Sequence, residues 1–124
     1  MTKLPSVVSV EDDLDIFDLI KDILRPLPIQ LHHARTGAEA LDLVPRVKAD
    51  LLLLDISLPD IHGWDVLKRL SEKKHNLKGV IVLTARTDPA HRVMAHFQEV
   101  TAYINKPFKP NELVDLIRET LGLA

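Results

Sequence analysis

Short apolar runs alternate along this chain with segments in which apolar residues recur every three or four positions. The runs are typical of buried β-strands, and the three-to-four spacing is typical of amphipathic helices. Strands are predicted at residues 7–10, 29–34, 51–54, 80–83 and 102–104. A helical segment follows each of them, so the pattern predicts five strands that alternate with five helices.

Capping residues and prolines set the predicted helix ends. Thr36 and Glu39 form a capping-box pattern at the start of the second helix, which is expected to end at Pro45. Asp88-Pro89 is a favourable start for the fourth helix, and Pro110 for the last one. The residues expected on the inner face of the fourth helix are Val93, Met94 and Phe97.

The alternation of strands and helices also predicts the fold class. Each helical crossover returns the chain to the same end of the sheet, so that successive strands run parallel. Right-handed crossovers place helices on both faces. We therefore predict an α/β fold, a doubly wound five-stranded parallel sheet. Its strand order, 2-1-3-4-5, is adopted from flavodoxin-like folds of this size.

Composition narrows the class of protein further. The chain has 124 residues, of which 46% are hydrophobic, and we expect residues 1–124 to form a single domain. A net charge of −2 gives no electrostatic footprint for direct binding to nucleic acid or to an anionic membrane. The absence of cysteine excludes disulfides and cysteine zinc sites. Without a signal-peptide pattern or a long apolar run, the expected location is the cytoplasm.

Chemically active side chains follow the predicted strands where each strand ends. Glu11 and Asp12 follow the first strand, and Asp55 follows the third. Thr84 ends the fourth strand and Lys106 follows the fifth. Ligands of such sheets bind beyond the carboxyl ends of the strands, near the point where the strand order reverses. We therefore expect these five side chains to converge on one edge.

Carboxylates packed this closely repel each other unless cations compensate their charge. Lys106 supplies one positive charge, and a hard divalent cation such as Mg²⁺, which binds carboxylates, waters and phosphate oxygens, supplies more. A carboxylate beside such a cation and a lysine is equipped to attack a phosphoryl group in line. Thr84 is then able to donate a hydrogen bond to a phosphoryl oxygen. The residue types predict a phosphoacceptor site.

At these residues the chain resembles the receiver domain of two-component response regulators, including its chemotaxis-regulator-like members. The matching segments are Val10-Glu11-Asp12-Asp13, Leu53-Leu54-Asp55-Ile56-Ser57-Leu58-Pro59-Asp60, Leu83-Thr84-Ala85 and Tyr103-Ile104-Asn105-Lys106-Pro107-Phe108. Each segment alone is a weak motif, but all four occur in order at strand ends. The resemblance covers essentially the whole chain.

The resemblance implies a role for each acidic residue. Asp55 is the residue expected to be phosphorylated. Asp12 and Asp55 are expected to bind Mg²⁺, or alternatively Mn²⁺, through their side chains. Ser57 is expected to contribute its backbone carbonyl, and Glu11 to act through water.

The same resemblance implies roles for residues of the fourth and fifth strands. Lys106 is expected to pair with the phosphoryl group, and the Lys106–Pro107 bond is expected to be cis, which is uncommon even before proline. Thr84 and Tyr103 are the expected switch residues. Together they would change a protein-interaction face formed by the fourth helix, fifth strand and fifth helix.

The partners implied by the resemblance are those of a phosphorelay. The phosphoryl donor is expected to be a histidine kinase or a phosphotransfer protein. The output is expected to pass through another protein or through an effector domain absent from this sequence, with the chain either a monomer or a phosphorylation-dependent dimer. The chain is not expected to be an enzyme beyond slow self-phosphorylation and self-dephosphorylation.

Three other functions share some of these features. A Mg²⁺ phosphohydrolase of the haloacid dehalogenase type also uses an aspartate nucleophile, but it usually carries a second aspartate where this chain has Ser57. A receiver-like protein that signals without phosphate is disfavoured by the complete set of acids, threonine and lysine. A flavodoxin is disfavoured because an acidic first loop would repel the cofactor phosphate.

The stretch Glu99-Val100-Thr101 lacks the glycine common in the receiver family, which leaves the detailed shape of the output face open.

Several conspicuous residues are interpreted as structural. Asp13 is expected to cap the first helix, Trp64 to pack in the core and Asp60 to be solvated. His32 and His33 are adjacent in a strand, so that their side chains are expected to point to opposite faces. A histidine metal site is therefore not expected.

Overall fold

The computed structural model describes residues 3–72, 77–85, 90, 93–95 and 100–123. The strands within these ranges are β1 (Ser6–Val10), β2 (Gln30–Ala34), β3 (Leu51–Leu54), β4 (Gly79–Thr84) and β5 (Ala102–Asn105). The helices are α1 (Leu14–Leu24), α2 (Gly37–Val47), α3 (Gly63–Glu72) and the C-terminal helix (Pro110–Leu121). Among the described residues, no helix has the length and apolar character needed to cross a membrane.

The five strands form one parallel sheet in the order β2-β1-β3-β4-β5. This confirms the predicted α/β fold, its doubly wound sheet and its strand order. The register pairs Val10 at the end of β1 with Leu54 at the end of β3. It also pairs Thr84 at the end of β4 with Asn105 at the end of β5. The carboxyl ends of these strands consequently meet at one edge.

A hydrophobic core lies on each face of the sheet because alternate side chains of a strand point to opposite sides. All four residues of β3 are buried, as expected for a central strand covered on both faces. Leu52 and Leu54 pack in the core shared with α2 and α3. Leu51 and Leu53 pack in the core shared with α1 and the C-terminal helix. Packing on both faces therefore fixes the position of the strands and of the edge at which their carboxyl ends meet.

Two sequence expectations about helices are wrong. Helix α2 does not end at Pro45 but continues to Val47, and Lys48 ends it in the left-handed conformation. Pro45 removes one backbone hydrogen bond of the helix, but only two residues of α2 follow it, so little of the helix is disrupted. The expected inner face of the fourth helix is also wrong, since Val93 and Met94 are 56% and 39% exposed while Ala95 is buried. Asp88-Pro89 and Phe97 lie outside the described residues.

The loop between β3 and α3 closes on itself through its backbone. The Gly63 N–H donates to the Ile56 carbonyl at 3.1 Å, so the first residue of α3 contacts the residue that follows Asp55. A Cβ atom at position 63 would clash with the Ile56 backbone. Glycine is required at this position because only its hydrogen side chain permits the approach. The loop therefore has a fixed span.

Asp60, in the same loop, is exposed to solvent as expected, and its carboxylate also binds the N-terminus of α2. Its Oδ1 accepts from the Gly37 N–H at 2.8 Å, and its Oδ2 accepts from the Ala38 N–H at 3.0 Å. These two N–H groups have no partner within the helix, and the helix dipole also favours a negative charge there. The hydrogen bonds from Gly37 and Ala38 hold the pKa of Asp60 below its ordinary value of 3.8. The carboxylate links α2 to the loop that follows Asp55.

We predict that Asp60→Asn lowers the thermal unfolding midpoint at pH 7. A carboxyl whose pKa is lower in the folded state stabilises the fold above its unfolded pKa, and it loses that contribution as the pH falls through the folded pKa. The difference between native protein and variant should therefore shrink as the pH falls below about 4. Circular dichroism melting curves across this range test it. Asp115→Asn, which removes an exposed carboxylate from the C-terminal helix, is the control. An equal loss in both variants at pH 7 would contradict the assigned contact.

Candidate functional site

Three carboxylates meet where β1 and β3 end. The ladders extend one residue past the strands: the Glu11 N–H donates to the Ala34 carbonyl at 2.9 Å, and the Asp55 N–H donates to the Val10 carbonyl at 3.1 Å. Glu11 and Asp55 are therefore held by backbone hydrogen bonds at the same edge. Together with Asp12 they place one carboxylate oxygen each within 4.8 Å of one another. Glu11 and Asp55 are buried, whereas Asp12 is exposed.

Lys106 joins two of these carboxylates. Its backbone N–H donates to the Thr84 carbonyl at 2.8 Å, which fixes the residue at the end of β5. Its Nζ lies 2.6 Å from Glu11 Oε1 and 3.2 Å from Asp55 Oδ2. The lysine side chain is 11% exposed, so water screens both contacts weakly. The Lys106–Pro107 bond is cis, in agreement with the expectation.

Burial and charge act against each other at this cluster. Burial raises the pKa of Glu11 to about 7, and the hydrogen bond and charge of Lys106 offset only part of that rise. The nearby negative charge of Asp55 adds to it. Burial alone would lower the pKa of Lys106, but the hydrogen bond from its Nζ to Glu11 and the charges of both carboxylates raise it overall. The lysine stays charged, and the site still carries more negative than positive charge.

Backbone N–H groups orient the two buried carboxylates. Asp55 Oδ1 accepts from the Ser57 N–H at 2.9 Å, while its Oδ2 faces Lys106. Glu11 Oε2 accepts from the Asp13 N–H at 3.3 Å. Asp13 also caps α1 as predicted, because its Oδ1 accepts from the N–H groups of Asp15 and Ile16. The loop after β1 is therefore tied to both the site and the helix that follows.

Thr84 and Tyr103 lie on one face of the sheet, near the same edge. Thr84 is completely buried at the end of β4. Tyr103 is half-buried and packs against the core that α2 and α3 share with the sheet. The register pairs Tyr103 with Val82, two residues before Thr84, so that all three side chains emerge on the same side. Trp64 is buried in that core, as the sequence predicts.

His33 makes a contact near the site that none of the sequence motifs predicts. The His33 ring stacks on Phe17 of α1, with ring centroids 3.7 Å apart and planes 3° from parallel. Its Nε2 lies 2.7 Å from the backbone carbonyl oxygen of Glu11. His33 is 22 residues from Glu11 in the chain, so local patterning gives no indication of the contact.

The donor set of the cluster fits a divalent metal ion. Three carboxylates against one ammonium leave two negative charges without compensation when all of them are ionised. Carboxylate oxygens are the ligands that Mg²⁺, Mn²⁺ and Ca²⁺ prefer. Glu11, Asp12 and Asp55 form an acidic pocket that can hold such an ion.

Comparisons with known proteins agree with this arrangement. Residues 7–118 match the family model described as the response regulator receiver domain. The chain is 36% identical over 115 residues to the transcriptional regulatory protein CpxR of Escherichia coli, covering 93% of this chain and 48% of CpxR. It is 33% identical over 115 residues to the DNA-binding response regulator MtrA of Mycobacterium tuberculosis, covering 93% of this chain and 50% of MtrA. The chain thus spans about half the length of these curated relatives.

A solved structure shows the same likeness in three dimensions. The CheY-like response regulator receiver domain protein of Methanospirillum hungatei superposes with a TM-score of 0.89 at 29% sequence identity. The superposition covers 97% of this chain and 95% of that protein. The similarity therefore extends over the whole receiver fold.

We predict that Lys106→Met lowers the free energy of unfolding by about 3 kcal/mol in metal-free buffer, because it leaves two buried carboxylates without their shared cation. Urea unfolding curves measure the change. In a Glu11→Gln background the same lysine substitution should cost less, since one of the two charges is already gone. Equal costs in the two backgrounds would show that Lys106 does not stabilise Glu11 electrostatically.

Proposed function

Because the chain belongs to the response regulator receiver domains of two-component signalling, we propose that Asp55 is its phosphoacceptor. The observation that carries this proposal is the cluster in which Lys106 joins buried Asp55 to buried Glu11 at the carboxyl edge of the sheet. Asp55 is oriented on one oxygen by the Ser57 N–H and on the other by Lys106. A carboxylate that is held in place beside an ammonium group is suited to in-line attack.

The proposed reaction moves one phosphoryl group. An Asp55 oxygen forms a bond to phosphorus while the bond from phosphorus to the donor atom breaks, and the donor keeps the bonding electrons and takes up a proton. Lys106 lies beside Asp55 and offsets the charge of the transferred group. The product is an aspartyl phosphate with about −1.5 to −2 charges where one carboxylate stood. The donor is proposed to be a histidine kinase or a phosphotransfer protein.

Mg²⁺, with Mn²⁺ as an alternative, is the proposed cofactor. Its ligands are the side chains of Asp12 and Asp55 and the backbone carbonyl of Ser57, with Glu11 acting through water. The short distances among the carboxylate oxygens and their hard donor character support this set. When bound, the ion supplies positive charge that neutralises phosphoryl oxygens. Exposed Asp12 gives the pocket an open side for ion and donor.

Thr84 and Tyr103 are the proposed switch residues. Thr84 is buried at the same edge of the sheet as Asp55, which supports a role in which its hydroxyl donates a hydrogen bond to a phosphoryl oxygen. Tyr103 lies half-buried on the same face of the sheet, which supports a switch in which its side chain turns between an inward and an outward position. Phosphorylation would then shift the population between two states of a face formed by the fourth helix, β5 and the C-terminal helix. The fourth helix lies largely outside the described residues.

The output of this switch is proposed from the relatives. CpxR and MtrA are a transcriptional regulator and a DNA-binding response regulator, so an attached DNA-binding effector is one proposed output. A separate output protein is the other. Residues 1–124 as a single receiver domain and a cytoplasmic location stay predictions, as does the choice between monomer and phosphorylation-dependent dimer. A receiver-like domain without phosphotransfer and a phosphohydrolase are the alternatives that the next experiment separates.

Incubation with acetyl phosphate and Mg²⁺ should add the mass of one phosphoryl group, because Asp55 is held beside Lys106 and the acidic pocket. Intact-protein mass spectrometry measures the addition. Asp55→Asn should abolish it, and Asp115→Asn, a change of the same type on the C-terminal helix, should leave it intact. A native protein that stays unmodified would support the phosphate-independent alternative, and rapid turnover of a phosphomonoester would support the phosphohydrolase.

Mg²⁺ should stabilise the native protein, because it supplies the positive charge that the pocket lacks. At a free concentration about ten times the dissociation constant, the expected gain in unfolding free energy is about 1.4 kcal/mol. Urea unfolding with and without Mg²⁺ at matched ionic strength measures it. Asp12→Asn should lose most of the gain.

The matched control for that experiment is Asp13→Asn. It removes the same charge from the same loop, and asparagine caps a helix about as well as aspartate does. Its Mg²⁺-dependent gain should stay close to that of the native protein. Equal losses in the two variants would show that the gain reflects the overall charge of the loop rather than binding by Asp12.

A further inference from the structure

His33 contacts the acidic loop from the side opposite to the site. It lies in β2, the edge strand that neighbours β1, and its side chain is half-buried. The ring stacks on Phe17 in the first part of α1, and its Nε2 lies 2.7 Å from the Glu11 carbonyl oxygen. A carbonyl oxygen only accepts hydrogen bonds, so Nε2 carries the proton and donates it. His33 thus joins β2, the loop after β1 and α1.

This contact continues the pairing of β1 with β2 beyond its last backbone rung. Val10 and Ala34 are the final paired residues, and the Glu11 N–H donates to the Ala34 carbonyl at 2.9 Å. The next backbone group of β1, the Glu11 carbonyl, is bonded by the His33 ring. Both backbone groups of Glu11 are therefore held on the β2 side. The conformation of Glu11 is fixed by hydrogen bonds at each end of the residue.

Fixing the Glu11 carbonyl also fixes the start of Asp12. The peptide bond is planar and trans, so the Asp12 N–H points away from the side to which the Glu11 carbonyl points. That direction is toward β3, the other neighbour of β1 and the strand that leads to Asp55. On the far side of Asp12, Asp13 is held as the cap of α1. The backbone of Asp12 is therefore held on both sides, by Glu11 and by Asp13.

We propose that His33 is a positioning residue for cation binding, which acts by holding the Glu11–Asp12 peptide so that the carboxylates of both residues face Asp55. This inference rests on the proposed function of the pocket. In this proposal the hydrogen bond from His33 to the Glu11 carbonyl orients the carboxylates, whereas the stacking of the ring on Phe17 does not. The alternative is that His33 serves only as packing between β2 and α1.

Two variants separate the hydrogen bond from the ring. His33→Phe keeps an aromatic ring for Phe17 to stack on but has no donor. His33→Gln has no ring but carries an amide nitrogen as many bonds from Cβ as Nε2 is, and it can donate to the same carbonyl. Isothermal titration with Mg²⁺ alone measures the dissociation constant of each variant. Amide exchange of Asp12 and Asp13, followed by NMR in the metal-free protein, measures how firmly the loop is held.

His33→Phe should weaken Mg²⁺ binding about fivefold, the equivalent of one net hydrogen bond of about 1 kcal/mol. It should also speed amide exchange at Asp12 and Asp13, whereas His33→Gln should stay close to native in both measurements. Native Mg²⁺ affinity and native exchange in His33→Phe would overturn the proposal. Weak Mg²⁺ binding by His33→Gln together with native binding by His33→Phe would also overturn it, because affinity would then depend on the ring and not on the hydrogen bond. This holds even if both variants lose thermal stability.

The two proposals fail in different ways. If the native protein binds no Mg²⁺, the metal site of the proposed function is rejected. A role of His33 in binding the ion falls with it, and the exchange rates of the metal-free proteins then decide only whether His33 holds the loop, because unchanged exchange in His33→Phe rejects that as well. If the native protein binds Mg²⁺ and both variants bind it equally well, the proposed function stands and the positioning role falls.

Discussion

The mutual repulsion of Glu11, Asp12 and Asp55 is the constraint on which the rest of the site depends. Like charges within 4.8 Å of one another stay together only if the surrounding structure holds them. Backbone ladders hold Glu11 and Asp55 at the sheet edge, and Lys106 offsets part of the charge from the end of β5. Burial, with a smaller contribution from the charge of Asp55, raises the pKa of Glu11, and Lys106 offsets only part of that rise. The fold thus keeps an acidic cluster whose excess negative charge a divalent ion can offset.

The fold and much of the site follow from sequence features that act locally. The fully apolar run of β3 and the helical spacing of α1 predict their elements because burial selects side chains at a fixed period. Parallel topology then carries Asp55 and Lys106 to one edge without any knowledge of side-chain contacts. The cis bond before Pro107 was expected only through the resemblance to a family, since no local pattern specifies it.

What the sequence left out are contacts between residues that are distant in the chain and lack a shared motif. Asp60 is exposed as expected, but it also caps α2 from a separate loop, 23 residues from Gly37, and no local pattern indicates that contact. His33 reaches the Glu11 carbonyl through a ring whose orientation depends on Phe17. The error at Pro45 has another origin: propensity treats proline as a stop, whereas the position within the last turns decides its cost. Tertiary placement determines the first two outcomes, and the position of Pro45 within its own helix determines the third.

The glycine at the start of α3 also affects how the segment after Asp55 is held. Because Gly63 contacts the backbone of Ile56, and Asp60 between them is bonded to α2, the segment after Asp55 is a closed ring of main chain anchored at two helices. A single residue inserted between positions 56 and 63 would lengthen this ring and disturb the segment that directly follows Asp55.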